Sequence, residues 1–591
     1  MAAAPPIRRA TEIYARRTSS ANSGGTQSEQ RRNRSNFLFH LRLLTRLQKA
    51  ARSDIAAEAS EVIQLTRASD TSAAVAQMAT RFSSGNNEPA SLIRSRQDLR
   101  ARLDALDKRL PEQFGKAVAQ RHPALEQGLR DDIARTGKEF DALLTALVER
   151  FPQYAELAGA QPLALAEVQK LLKPDQALLA WVFGRDEGFL LAVRAGQAAL
   201  VRLPVSLQGL RDDIATLRRS LDVQRLQPFP AALANRLYRD LIGPVEGLIG
   251  DAKHIVVVPD GPLESLPLSV LLTAPAADTR DELAAPDALR DAPWLTRKWA
   301  ISTLPSISSL KALRVFAKES RATRPFLGIG DTLLDDHPQN ARGAGIASKP
   351  GVATPDASTA PTAPSTGIAL NALFRGATAD VRAVSSLPSL PETAGELQAM
   401  AKALGVGGDA LLLRAAATET QVKRLLLASH RVLAFATHGA MAGEIKGLAE
   451  PALVLTPPVA PIEPTEQDDG LLTASEIAQL KLDADWVILS ACNTAAADGT
   501  PGAEGLSGLA KAFIYAGART LLVSHWSVSS EPTVALTTSM LSESTMPGVG
   551  RAEAHRRAML DYLADPANLS LTHPAYWAAF AVIGEGGVTV H

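Results

Sequence analysis

Two residues in the C-terminal half of this 591-residue chain, His438 and Cys492, are of the types that together carry out nucleophilic chemistry. A thiol with an ordinary pKa near ~8.5 is mostly protonated at neutral pH, so a nucleophilic cysteine needs a base or a positive field beside it. Histidine is the side chain whose titration suits that base. Each candidate ends a short apolar run: Val432 to Ala436 leads through Thr437 into His438-Gly439, and Trp486 to Leu489 leads through Ser490-Ala491 into Cys492. Such runs, bounded by turn-formers and spaced by helical patterns, read as buried parallel strands. The separation, 492 − 438 = 54 residues, accommodates one crossover between neighbouring strands. In an open parallel sheet chemistry collects beyond the carboxyl ends of the strands, so both side chains are expected in one crevice. Glycine at 439 permits close backbone approach, and its N–H and that of Cys492 would face a developing oxyanion. Each residue alone has a plainer reading, the cysteine as a small buried hydrophobe and the histidine as a satisfied strand end. Their equivalent placement favours the dyad.

Composition removes other chemistries. Basic and acidic residues balance at 62 each, which argues against a nucleic-acid-binding body. A basic N-terminal tail ending in Arg31-Arg32-Asn33-Arg34-Ser35 is the one stretch that suits nucleic acid, and its plainer reading is a solvated disordered segment. Cys492 is the only cysteine, so neither an intramolecular disulfide nor a cysteine-rich zinc site can form. No apolar run has membrane-spanning length; Phe513 to Val523 comes closest and Arg519 interrupts it. The N-terminus lacks the apolar core of a secretory signal, so a cytoplasmic location and no membrane association are expected. There is no phosphate loop, dinucleotide fingerprint or His-Glu-x-x-His pattern. Gly505-Leu506-Ser507-Gly508 also fails the serine nucleophile elbow. No cofactor and no metal are expected.

The elements around the dyad divide the chain into three parts: a tail over 1–35, an α-helical region over 36–160, and an α/β domain over 161–591. Leu41, Leu44, Leu47, Ile63 and Leu65, and later Leu99, Leu103, Leu106 and Leu110, recur at helical spacing, predicting a helical hairpin or small bundle. Ala177 to Phe183 and Phe189 to Val193, joined through Arg185-Asp186-Glu187-Gly188, predict a β-hairpin. Further strands are predicted at 254–258, 299–304, 326–330, 410–413, 432–436, 486–489 and 520–524, with helices between them. This alternation calls for a mainly parallel sheet with helices on both faces. Residues 331–388, rich in Ala, Pro, Thr, Gly and Ser, read as a flexible insertion.

The motifs at these strand ends resemble the CHAT domain, a caspase-like cysteine peptidase family related in fold to separases and gingipains. The resemblance is carried by Ala434 to Gly439, Leu489 to Thr494 and Gly505 to Ala518. Val258 to Leu263 with Leu266-Pro267, Leu304-Pro305-Ser306, Gly470 to Ile477 and Tyr576 to Phe580 add to it. It covers about Pro162 to Gly587, and implies an inactive and an active caspase-like half. It also implies His438 as general base, Cys492 as the nucleophile forming a thioester, and the Gly439 and Cys492 N–H groups as the oxyanion hole. The caspase signature around the cysteine is absent, since Ser490-Ala491-Cys492-Asn493-Thr494 stands there. A preference for cutting after Asp is therefore unsupported. Family members often carry tetratricopeptide repeats ahead of this domain, whereas no repeat period is found here.

Two carboxylates, Asp260 and Asp498, are candidates for a pocket that would favour Arg or Lys before the cut, and Trp526 for a subsite wall. Their plainer readings are turn or cap aspartates and a core tryptophan. The expected function is a regulated cysteine endopeptidase acting on protein substrates, with an activating protein partner docking on the N-terminal helices. The resemblance adds a defence or cell-death pathway. The competing reading is a non-catalytic caspase-like scaffold for protein binding.

Overall fold

The computed structural model describes residues 6–12, 23–48, 55–66, 123–150, 162–276, 289–316, 319–334 and 387–440. It further describes 451–458, 468–490, 508–526 and 530–587, with isolated positions and two short strands between them. Cys492, Asp498 and most of the 331–388 insertion lie outside the described residues.

Sixteen strands are described, and eleven form one sheet. In chain order they are β1 (Gln176–Phe183), β2 (Gly188–Val193), β3 (Ala198–Leu203), β4 (His254–Val258), β5 (Ala300–Thr303), β6 (Arg324–Gly330), β7 (Phe374–Arg375) and β8 (Thr378–Ala379). They continue with β9 (Leu411–Leu413), β10 (His430–Ala436), β11 (Gly439–Ala440), β12 (Ala452–Val454), β13 (Leu471–Thr473), β14 (Trp486–Leu489), β15 (Thr520–Ser524) and β16 (Phe580–Gly584). The large sheet runs β3-β2-β1-β4-β5-β16-β15-β14-β10-β6-β9, and β11-β12-β13 form a small sheet beside it. Parallel ladders join β1 to β4, β4 to β5, and the series β15-β14-β10-β6-β9. The β1-β2-β3 meander and the β15–β16 pair are antiparallel.

Period-two alternation explains why the sheet is covered twice. Along β10, Val432, Ala434 and Ala436 enter one core, while Leu433 and Phe435 enter the other. In β14, Trp486 and Ile488 take the first face, Val487 and Leu489 the second. Glycines in β6 let a helix approach: a Cβ on Gly330 would lie 2.4 Å from the Ala436 carbonyl oxygen and 2.8 Å from Leu397. The helix seated there is Glu392–Ala403, whose Thr393, Glu396, Leu397, Met400 and Ala401 form its buried stripe.

Two expectations are corrected. The 1–35 segment is not wholly a solvated tail, because residues 6–12 are helical and a helix runs Ser23–Gln48. The Ser23–Gln48 and Ile55–Thr66 helices pack on each other, but not as a unit apart from the α/β domain. Phe37, Leu41 and Leu44, with Ile55, Val62 and Ile63 of the Ile55–Thr66 helix, share a core with Leu178, Ala180, Val182, Phe189 and Leu191 of β1 and β2. They are the second cover of the N-terminal half of the sheet. Seven described strands escaped the sequence pattern: β3 and β16 of the large sheet, and the short β7, β8, β11, β12 and β13. Among the described residues no helix is long and apolar enough to cross a membrane.

Candidate active site

His438 stands two residues beyond the last residue of β10, between the large sheet and β11 of the small one. Its neighbours hold it from both sides. The Val454 N–H donates to the His438 carbonyl oxygen at 2.9 Å, and the Thr437 hydroxyl donates to the Val454 carbonyl. The imidazole, partly exposed, places Nε2 2.7 Å from the Pro388 carbonyl oxygen. A carbonyl only accepts, so Nε2 carries the hydrogen in this contact. In the neutral ring Nδ1 is then the free lone pair, the atom that can take a proton.

The bond from Val454 also orients Gly439. It makes Gly439–Leu453 the non-hydrogen-bonded pair of the β11–β12 ladder. The Gly439 N–H therefore points away from β12, on the open side of β11, which is an edge strand. An N–H left out of a ladder in this way is a donor available to an anion.

The nucleophile strand lies alongside. Phe435 of β10 is registered with Leu489 of β14, and the Ser490 N–H donates to the Phe435 carbonyl at 3.0 Å, continuing the ladder one step past β14. His438 lies three residues beyond Phe435 and Cys492 three beyond Leu489. Cys492 itself, like Asp498, lies outside the described residues.

Asp260 is not available as a pocket carboxylate. It lies just past β4, buried, and accepts the Phe183 N–H at 2.8 Å and an ion pair from Arg34. Five strand steps separate β4 from β10, about 24 Å measured along the sheet at about 4.8 Å per strand. No substrate residue next to a bond cut at His438 spans that distance. Its partner Arg34 is one of the basic residues expected in a solvated tail, so two expectations fail through one contact. Trp526, two residues past β15, has its ring in the core and its Nε1–H on the Ala575 carbonyl at 2.9 Å. The packed reading of this residue is the one its surroundings fit.

Several residues at this edge were missed. Asp331 and Arg414, the residues following β6 and β9, both have positive φ (46° and 54°). The Arg414 N–H donates to the Asp331 carbonyl at 2.9 Å. Non-glycine residues held in that region store strain, which clusters at functional sites. Glu396 is 3 % exposed. Burial, with Glu392 nearby adding to it, raises its carboxyl to about 7 against the pull of a hydrogen bond from Ser490. The signal for it was present in the sequence, as a glutamate within the apolar stripe of a helix. Among the described residues no group of three or more His, Cys, Asp or Glu is placed to hold a metal ion.

Comparison with known proteins agrees with the motifs. Two crystal structures of the Saccharomyces cerevisiae separase–securin complex are similar to the chain over 94 % of its length at 10 % identity, with TM-scores of 0.39 and 0.41. The chain spans 38 % and 37 % of the length of those structures' matching chains. No curated protein matches the sequence. The CHAT domain family model matches residues 231–585, from the start of the Ala231–Leu241 helix to the residue after β16, and the chain belongs to the CHAT domain family.

Proposed function

We propose that the protein is a cysteine endopeptidase in which His438 activates Cys492 for attack on a peptide bond of a protein substrate. The observation that carries this reading is the hold on His438. The Pro388 carbonyl takes the Nε2 hydrogen and leaves Nδ1 as the base, on the strand next to the one that leads to the only cysteine. Two residues of chain, at most about 7 Å, separate Cys492 from Ser490, which is bonded to β10.

The reaction then runs in two balanced halves. The Cys492 thiol proton moves to Nδ1, and the sulfur attacks the carbonyl carbon, placing negative charge on the carbonyl oxygen. The Gly439 N–H is a donor for that oxygen. Collapse breaks the C–N bond, the amine leaves with the proton from Nδ1, and a thioester remains. Water gives a proton to Nδ1, attacks the thioester and frees the acid, and the proton returns to sulfur. A preference for Arg or Lys before the cut rests on Asp498, since Asp260 is committed elsewhere. Regulation by a protein partner on the N-terminal helices and a role in a defence or cell-death pathway belong to the same proposal.

The test compares newly formed protein N-termini in cells expressing the wild-type chain and the Cys492→Ala chain. Cuts present only with the wild type establish proteolysis, and the residue before each cut reads the pocket. If no cut under any condition depends on Cys492, the scaffold reading takes its place.

A further inference from the structure

One short segment touches both strands of the site. Pro388 holds the His438 ring through its carbonyl. Two residues later the Leu390 carbonyl accepts the Thr393 hydroxyl at 2.7 Å, and that hydroxyl oxygen accepts the Asp331 N–H at 2.9 Å, fastening the segment to the end of β6. Less than one helical turn further stands Glu396, buried, with Ser490 as its side-chain hydrogen-bond partner. One of its carboxyl oxygens, Oε1, has no hydrogen-bond partner among the described residues. Ser490 continues the face of β14 that carries Trp486 and Ile488, the face on which the Glu392–Ala403 helix packs. It stands two residues before the cysteine.

We infer that Glu396 is a positioning residue for the nucleophile, its buried carboxyl holding the Ser490 end of β14 in step with the Pro388 contact to His438. The inference rests on the Cys–His reading above and adds to it a group acting through Ser490. A protonated carboxyl both donates and accepts, whereas an ionised one only accepts. No cation is paired with Glu396 among the described residues, so its ionised form would be an unpaired buried charge, which is costly. On its own helix the charged group facing it is Glu392. The elements packed against that helix are β6, β9, β10, the Gly408–Ala410 turn with its exposed Asp409, and the Ser530–Ser544 helix, whose Glu543 pairs with Arg557. Asp331 and Arg414 pair with each other beyond β6 and β9, Arg324, His430 and Arg431 lie at the opposite ends of β6 and β10, and Glu531 opens the Ser530–Ser544 helix.

The single cysteine makes a direct test possible, because alkylation of the full-length native chain by iodoacetamide, followed by intact mass, reports Cys492 alone. Rates are measured from pH 5 to 9 for the wild type, His438→Ala, Glu396→Gln and Glu396→Ala. The wild type is expected to react faster at pH 6 than a free thiol does, with an inflection near pH 7, and His438→Ala to lose the excess. Glu396→Gln keeps the hydrogen-bonding shape without the titration, so it should retain the rate at pH 6 and show only the inflection of the thiol itself. Glu396→Ala should slow alkylation about tenfold at every pH, the scale of one lost buried hydrogen bond. If both Glu396 variants follow the wild-type profile while His438→Ala is slow, the inference is overturned and the dyad stands. If His438→Ala alkylates like the wild type, the dyad reading falls and this inference with it.

Discussion

The two halves of the large sheet pose the same problem and solve it differently. β4 and β10 each begin with a histidine, run through buried apolar residues, and deliver a polar residue just beyond their ends, Asp260 and His438. Arg218 shows that the two halves share an edge, since it donates both to the Ser265 carbonyl after β4 and to the His525 carbonyl after β15. On that common edge Asp260 is sealed by the Phe183 N–H and by Arg34 from the N-terminal helix. His438 has one backbone partner for its ring and remains partly exposed. A strand end is thus only a place for chemistry, and what closes over it decides whether it becomes a site or a fastening.

The largest effect separating the halves should come from the open one. His438→Ala or Cys492→Ala should lower Cys492-dependent cleavage by about 10²–10⁴ or more, with the urea midpoint little changed. The sealed half should respond the other way. Asp260→Ala leaves the buried Phe183 N–H unpaired and should cost about 1–3 kcal/mol in urea unfolding, while cleavage by the folded fraction keeps its rate. A fall in cleavage without a fall in stability would break the comparison.

Gly330→Ala probes the support beneath the open end. Its new methyl would press on the Ala436 carbonyl and Leu397, costing about 1–3 kcal/mol by overpacking. Because one contact is on the His438 strand and the other on the helix that follows Pro388, cleavage should fall together with stability. An unchanged unfolding midpoint would mean that the helix can retreat without loss.

Acid should act on the histidine of the other half. His254 is buried, accepts from the Gln176 amide at 3.0 Å and donates to the Ser302 hydroxyl at 2.8 Å. Burial first, and Arg314 with it, hold its pKa down at about 4. The folded state then favours the neutral ring, so its contribution is complete above an unfolded pKa of about 6.5 and is lost as pH falls towards 4. Below the upper limit the slope approaches about 1.4 kcal/mol per pH unit for this one group. His254→Gln should flatten unfolding free energy measured across that window. The smallest effect is expected at Trp526→Phe, which removes one buried hydrogen bond. About 1 kcal/mol of stability should be lost with cleavage rates unaltered, and a changed rate would return Trp526 to the substrate.

Much of this was legible beforehand, and the failures have a common cause. Apolar runs ending in polar residues marked β4, β10, β14 and β15, and the motif spacing named His438, Gly439 and Cys492 as a group. Asp260 was expected near them because it also follows a strand. What pattern along a chain does not carry is lateral order: β5, β16, β15 and β14 all lie between β4 and β10. β16 itself was hidden, since Phe580 closes a recognisable motif and only pairing with a strand some sixty residues earlier makes Phe580–Gly584 a strand. β3 was passed over because most of it is only partly buried and Arg202 interrupts its short apolar run. Glu396 was visible as a misplaced charge in an apolar stripe, but its partner Ser490 is 94 residues away.

The join between the halves carries a mechanical consequence. β5 and β16 meet at one residue pair, Ile583 and Thr303. A ladder resists sliding because each step breaks a row of bonds, and a single bridge offers no such row. The seam is instead riveted by side chains: Arg314 on Glu585, Arg218 on the His525 carbonyl, and Trp294 edge-on to Trp577 with ring centroids 5.1 Å apart. The core beneath is continuous across this line, with Leu178 and Val256 sharing one cluster with Leu433 and Leu521. Load placed on the N-terminal helices therefore crosses to the His438 half through packed side chains, Arg218 among them, and not through a row of ladder hydrogen bonds.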